Sequence, residues 1–181
     1  MLVRPATKND LDKLVEIDKN DLDKLVEIDK AAYGKYGEDK EYFVEKLASF
    51  PKGVLVVEDK GKVTGFIVFE LIDKNNAPED FSEMKLKEPL TGRWMYTVAF
   101  TTATNYGDKM SDSKLLIAAE KIAKDEGCAE ACVPLSKDHP FKGNGVFEFW
   151  EINGYKRIGE IKWVPNSNES VECYFYKKSL V

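Results

Sequence analysis

Leu11, Leu14, Val15, Leu22, Leu25 and Val26 recur at three- and four-residue spacing through residues 9–30, separated by Asp, Lys and Glu. That spacing predicts an amphipathic helix with one apolar stripe. A second, shorter helix is predicted over 40–49, where Pro51 and Gly53 end it. The pattern then changes. Residues 54–58 and 63–71 are apolar on successive positions and are joined by a polar turn at 59–62. They predict two strands of a sheet covered on both faces. A polar stretch follows over 73–91, holding Pro78 and Pro89, and a loop of that length in a folded domain is more often functional than idle. Further strands are predicted over 93–102, 129–135, 155–164 and 171–178, with an amphipathic helix over 113–126. In the last strand Val171, Cys173 and Phe175 alternate with Glu172, Tyr174 and Tyr176.

The segment 93–159 carries the most information. An apolar strand runs into the polar turn 103–112, which opens into the helix at 113. Such a junction points backbone N–H groups and the positive end of a helix dipole at one place, which suits a phosphate. A nucleotide-type cofactor is the expectation.

Residues 9–19 (NDLDKLVEIDK) recur without a change at 20–30. Drift would have blurred the exposed positions of an old repeat first, so the identity points to a recent or deliberately engineered duplication. Two short copies do not make a solenoid. Eleven residues at about 100° each advance a helix by three turns and roughly 20°, so a continuous helix would present both copies on nearly one face. A restart at Asp18, with Asp21 three residues on, is the alternative and would expel one copy as a loop. The continuous helix is favoured, because each copy is rich in Leu, Lys and Glu and contains neither Gly nor Pro.

Composition narrows the class. The chain has 181 residues, 43% hydrophobic and 33% charged, enough for one globular domain spanning 1–181. Net charge is -5 and no Lys/Arg-dense stretch occurs, which argues against nucleic acid or an anionic membrane as partner. No apolar run approaches the ~20 residues that span a bilayer, and Met1 leads directly into strand-like sequence, so a cytoplasmic protein is expected. Cys128, Cys132 and Cys173 form no Cys-x-x-Cys pair, and the single His139 completes no zinc spacing; buried thiols are the expectation, with no metal.

The order of these elements resembles the Gcn5-related N-acetyltransferase (GNAT) family. The resemblance rests on FWEINGY at 149–155, on LVRPAT at 2–7 followed by an acidic helix, and on VVEDKGKVTGFI at 56–67. It implies an α/β (α+β) fold with a mixed, mostly antiparallel sheet flanked by helices on both faces. It further implies acetyl-CoA as co-substrate and a small-molecule or peptide amine as acceptor, in a monomer or homodimer. Phe100, Thr101 and Thr102 would line the pantetheine arm through main-chain hydrogen bonds. Aligning the following helix puts Gly107, Asp108, Lys109, Met110, Ser111 and Asp112, with Ser113 next, on the pyrophosphate loop; the resemblance also implies Asn144 as a cofactor contact, and Trp150 as either a core residue or a cofactor wall, with core packing favoured. The stretch 73–91 reads as an acceptor-side flap.

Three positions depart from the family pattern. Gly107 stands for an Arg or Gln, and Met110 and Asp112 stand for two glycines. Glycine suits a backbone that must approach pyrophosphate closely, whereas Asp112 adds negative charge. Ser111, Ser113, Lys109 and Lys114 supply hydroxyls and positive charge in compensation. The tyrosine that commonly serves as acid in the family is here Trp150, an indole that donates a hydrogen bond without releasing a proton. Tyr96 and Tyr106 are the substitutes. Glu70, a carboxylate in an apolar strand, and His139, which titrates in the useful range, are the candidate bases, although an exposed strand end and an exposed turn are the more ordinary explanations of them. Two classes follow: an acetyl-CoA dependent N-acetyltransferase using direct attack in a ternary complex, or a catalytically silent relative that binds a ligand or partner.

Overall fold

The computed structural model describes residues 2–5, 19–60, 62–73, 75–77, 92–102, 106, 109–166 and 169–181. Seven strands form one sheet in the order β1-β2-β3-β4-β5-β7-β6. In chain order the elements are β1 (Leu2–Pro5), α1 (Lys19–Tyr33), α2 (Lys40–Ser49), β2 (Val54–Asp59), β3 (Lys62–Ile72) and β4 (Trp94–Thr102). Then come α3 (Lys109–Asp125), β5 (Glu130–Ser136), α4 (Val146–Ile152), β6 (Lys156–Asn166) and β7 (Glu169–Ser179). The pairs β1–β2, β2–β3, β5–β7 and β6–β7 are antiparallel, whereas β4–β5 is parallel. The mixed, mostly antiparallel sheet expected from the sequence is therefore present. Contacts group the chain into two units, one comprising 1–69 and 99–119, the other 70–98 and 120–181.

In the first unit, α1 carries the second copy of the repeat. Leu22 and Leu25 are each 4% exposed and Asp29 is 2% exposed. The second copy thus supplies core-facing residues, while all of the first copy except Lys19 lies outside the described residues, and with it the choice between a continuous and a restarted helix. The connection from α1 to α2 is fixed by side-chain caps. The Glu38 N–H donates to Asp29 Oδ2 at 2.7 Å, and the Tyr42 N–H donates to Asp39 Oδ1 at 3.0 Å. Phe43 of α2 meets Phe66 of β3 edge to face, with ring centroids 5.3 Å apart. Aromatic pairs in that geometry add to the area they bury. Strand β3 also needs a glycine at one point. A Cβ on Gly65 would stand 2.8 Å from Thr101 O and 2.9 Å from Thr102 Cα, so no side chain fits where β3 passes the end of β4.

In the second unit, Ile72, Trp94, Tyr96, Cys132, Ile158, Ile161, Cys173 and Phe175 pack as one buried cluster. The alternation read in the last strand holds for Cys173 and Phe175, but Tyr176 is buried as well. Helix α4 stops in a Schellman turn. Gly154 takes φ +88°, the Tyr155 N–H donates to Trp150 O at 3.0 Å, and the Gly154 N–H donates to Glu151 O at 3.0 Å. Asn-Gly-Tyr at 153–155 is therefore a helix stop in physical terms, with glycine at the left-handed position. All three cysteines are buried and free, and burial pushes each thiol above its usual range. They behave as small apolar groups rather than as nucleophiles. Among the described residues no helix is long and apolar enough to cross a membrane.

Candidate functional site

Strands β4 and β5 share a short ladder. The register joins Trp94 to Glu130, Met95 to Ala131 and Tyr96 to Cys132, and goes no further, although β4 continues to Thr102 and β5 to Ser136. Beyond Tyr96, β4 loses its parallel neighbour while remaining a strand. Phe100, Thr101 and Thr102, the residues expected beside a pantetheine arm, occupy that run and are buried.

Helix α3 begins at Lys109, four residues earlier than the hydrophobic pattern suggested. Lys109, Met110, Ser111 and Asp112 are thus the first turn of the helix rather than the end of a loop. The four N–H groups of a first turn have no intrahelical acceptor, so the anion-binding capacity lies at these residues. Asp112 is buried there and complements the positive end of the dipole. Ser113 Oγ donates to Lys109 O at 2.6 Å, which turns that hydroxyl back into the helix. Gly107 and Asp108, and residues 74 and 78–91 of the stretch 73–91 read as a flap, lie outside the described residues.

Between β4 and α3, Tyr106 is held at φ +69°, a left-handed conformation rare for a bulky residue. Its ring packs on Phe100 with centroids 5.8 Å apart, and its hydroxyl donates to Phe100 O at 3.3 Å. Tyr33, the last residue of α1, donates its hydroxyl to the same oxygen at 2.8 Å. Burial pushes the Tyr33 phenol up to about 12; neighbouring Thr101 and Tyr106 hydroxyls oppose that rise and the Asp29 charge adds to it. Thr101 Oγ1 stands beside this group without a hydrogen bond of full geometry. Asp29 itself is raised to about 6, mainly by burial, and its Oδ1 has no hydrogen-bond partner among the described residues. Sequence reasoning picked out Tyr106 but neither Tyr33 nor Asp29. Asp29 is one of several acids in the repeat, and Tyr33 sits at a helix end where nothing in the local pattern marks it.

The second unit holds the other candidates. Tyr96 belongs to the buried cluster on β4. Glu70 is half-buried on β3. Asn144 is exposed in a short 3-10 turn, Lys142–Asn144, ahead of α4. Trp150 is 0% exposed, edge-on to Tyr155 at 4.8 Å and to Phe149 at 5.6 Å. His139 is not an exposed turn residue, since its exposure is 5%. Its N–H donates to Ser136 O at 3.1 Å, and its Nδ1 accepts from the Phe141 N–H at 3.1 Å. Accepting at Nδ1 requires the unprotonated nitrogen. Burial pulls its pKa down to about 4, so the ring is neutral at physiological pH. Folded His139 therefore resists the proton that the unfolded chain takes up near 6.5. Relative to His139→Gln, the stability of the parent is expected to fall as pH drops from 6.5 toward 4, as paired urea titrations at several pH values would read; Asp29, raised to about 6, acts in the opposite sense in both chains and cancels in the difference.

No protein-family model matches the chain, and no curated protein matches it. Solved structures do. The NatC complex bound to Gag peptide and CoA matches 99% of this chain and 98% of that chain at 13% identity, with a TM-score of 0.70. Chaetomium thermophilum Naa20 in complex with a bisubstrate analogue matches 99% and 86% at 17% identity, with a TM-score of 0.66. The GphF GNAT-like decarboxylase in complex with isobutyryl-CoA matches 100% of both chains at 14% identity, with a TM-score of 0.71. These likenesses establish the fold as that of the GNAT proteins.

Proposed function

We propose that the chain is an acetyl-CoA dependent N-acetyltransferase, carried by residues 1–181 as one domain. The observation that carries this reading is the sequence of features at β4: a strand released by its parallel neighbour after Tyr96, followed by a helix whose first-turn N–H groups have no acceptor within the helix. A released strand edge can pair with an extended amide-bearing arm, and a helix start can hold phosphate. Acetyl-CoA contains both groups. Two of the similar solved structures hold CoA or an acyl-CoA. The N–H groups of Lys109 to Asp112 would hold the pyrophosphate, with the Lys109 and Lys114 charges near, and β4 around Phe100 to Thr102 would hold the arm. When bound, acetyl-CoA supplies an activated acyl group to a small or peptide amine. For removal of the amine proton, Glu70 is the carboxylate that remains, because His139 is locked as a neutral acceptor and Tyr96 belongs to the core.

A second reading has one specific observation in its favour. Asp112 is buried in the first turn of α3, where the family pattern has glycine and the ligand is anionic. On that reading the chain keeps the fold as a ligand- or partner-binding protein. Calorimetric titration with acetyl-CoA, on this chain and on one lacking residues 20–30, separates the two. Micromolar binding to both is expected of the transferase. Binding to neither would sink it, and binding only to the shortened chain would trace the defect to the duplication.

A further inference from the structure

Gly65 is buried inside β3, where a glycine weakens a strand unless the backbone needs the missing side chain. The register with β2 shifts beside it. Val57 faces Gly65 and Glu58 faces Val63, which leaves Thr64 as the extra residue of a β-bulge. The Thr64 hydroxyl donates to Val57 O at 3.3 Å and closes the bulge. A bulge bends its strand and re-aims the residues next to it. Here the direction that a Cβ on Gly65 would take runs into the end of β4, 2.8 Å from Thr101 O and 2.9 Å from Thr102 Cα, with Val57 Cγ1 at 3.1 Å. Two of these three obstacles are main chain, so no change of rotamer relieves them. Opening the 2.8 Å gap to the 3.4 Å of ordinary contact moves the end of β4 by roughly 0.6 Å. That exceeds the ~0.5 Å range over which N–H···O distances stay good.

From this geometry we infer that Gly65 is a positioning residue for the acyl donor: its bare backbone lets β3 lie against Thr101 and Thr102, and so fixes where the end of β4 offers main-chain groups to an amide-bearing arm. The inference rests on the transferase reading and refines it. The contact is backbone on both strands, of the kind in which a Cα–H meets a carbonyl oxygen of the neighbouring strand. A methyl group at residue 65 therefore acts on the main chain of β4, the part of the strand that the arm would use. The phosphates are assigned elsewhere, to the first turn of α3, which begins seven residues after Thr102. Displacing the end of β4 thus spoils the arm's hydrogen bonds and leaves the helix start as it is.

Adding one methyl group tests the role. Gly65→Ala, and Gly65→Ala combined with Val57→Ala, would be titrated calorimetrically with acetyl-CoA and with adenosine 3′,5′-bisphosphate, which has phosphates but no pantetheine arm. Gly65→Ala is expected to lower acetyl-CoA affinity at least tenfold and to leave bisphosphate affinity unchanged. The double variant removes the side-chain obstacle and keeps both main-chain ones, so it is expected to bind acetyl-CoA no better. Unchanged acetyl-CoA affinity in folded Gly65→Ala, an equal loss for both ligands, or recovery in the double variant overturns the positioning role and leaves the transferase reading standing. No binding of acetyl-CoA by the unsubstituted chain overturns both. That chain also gives an independent reading: the Gly65 α-proton resonances are expected to shift on saturation with acetyl-CoA and to stay fixed with the bisphosphate. Fixed resonances alongside proven acetyl-CoA binding overturn the role even if the variants fail to fold.

Discussion

Trp150→Ala is expected to destabilise the protein by about 3–5 kcal/mol, the range for truncating a fully buried tryptophan. In a domain of this size that corresponds to a fall of roughly 10 °C or more in Tm, checked by calorimetry or circular dichroism. The ring is 0% exposed, and both aromatic neighbours meet it edge to face at interplanar angles of 83°. It also lies in the helix turn whose carbonyl accepts from the Tyr155 N–H, so the loss would reach the Schellman stop. Trp150→Phe should recover much of the stability. If Trp150 were instead a wall of the cofactor groove, alanine would weaken acetyl-CoA binding with little change in Tm, and that pattern would refute the packing role argued for it.

Lys178→Met should cost about 3 kcal/mol, because it strands a buried carboxylate. Lys178 Nζ donates to Glu120 Oε2 at 2.6 Å, with side chains only 25% and 10% exposed. The other carboxylate oxygen, Oε1, has no hydrogen-bond partner of full geometry among the described residues. Burial, then the Glu120 charge, pushes the Tyr155 phenol well above its ordinary value, so the phenol stays protonated beside it. Lys178 Nζ lies 5.6 Å from the centre of the Tyr155 ring as well. Removing the cation leaves Glu120 facing a phenol in a site of low polarity. The double variant Glu120→Leu with Lys178→Met is expected to regain most of the loss, since replacing both members of a buried pair by apolar groups is often neutral. Equal stability of Lys178→Met and the parent in urea would show the pair to be solvent-screened and the argument wrong.

Much of the fold was legible because its signals are local. Successive apolar residues at 54–57 and 66–69 mark strands buried on both faces, and Gly154 after the 149–153 run marks a helix stop; neither depends on distant contacts. The start of α3 was missed by four residues because Lys109, Met110, Ser111 and Asp112 break no helix, although they contain too few apolar residues to show its period. His139 was read as exposed because its turn is polar in composition, whereas its burial comes from packing that sequence does not display. The site was less legible still. Phe100 O gathers Tyr33 from 67 residues away, a pairing that no local pattern encodes.

The two identical copies pose a problem of degeneracy that Tyr33 resolves. Sliding α1 by eleven residues would replace Leu22, Leu25 and Asp29 with Leu11, Leu14 and Asp18, side chain for side chain. The part of the buried stripe inside the repeat would therefore match either copy, whereas Ala32, buried just past it, would give way to Asp21. What breaks the tie lies just past the repeat. After such a slide the place of Tyr33 would be taken by Leu22, and the hydroxyl that reaches Phe100 O would be gone. That phenol, together with Ala32, thus acts as a detent, selecting which of two identical segments the core accepts.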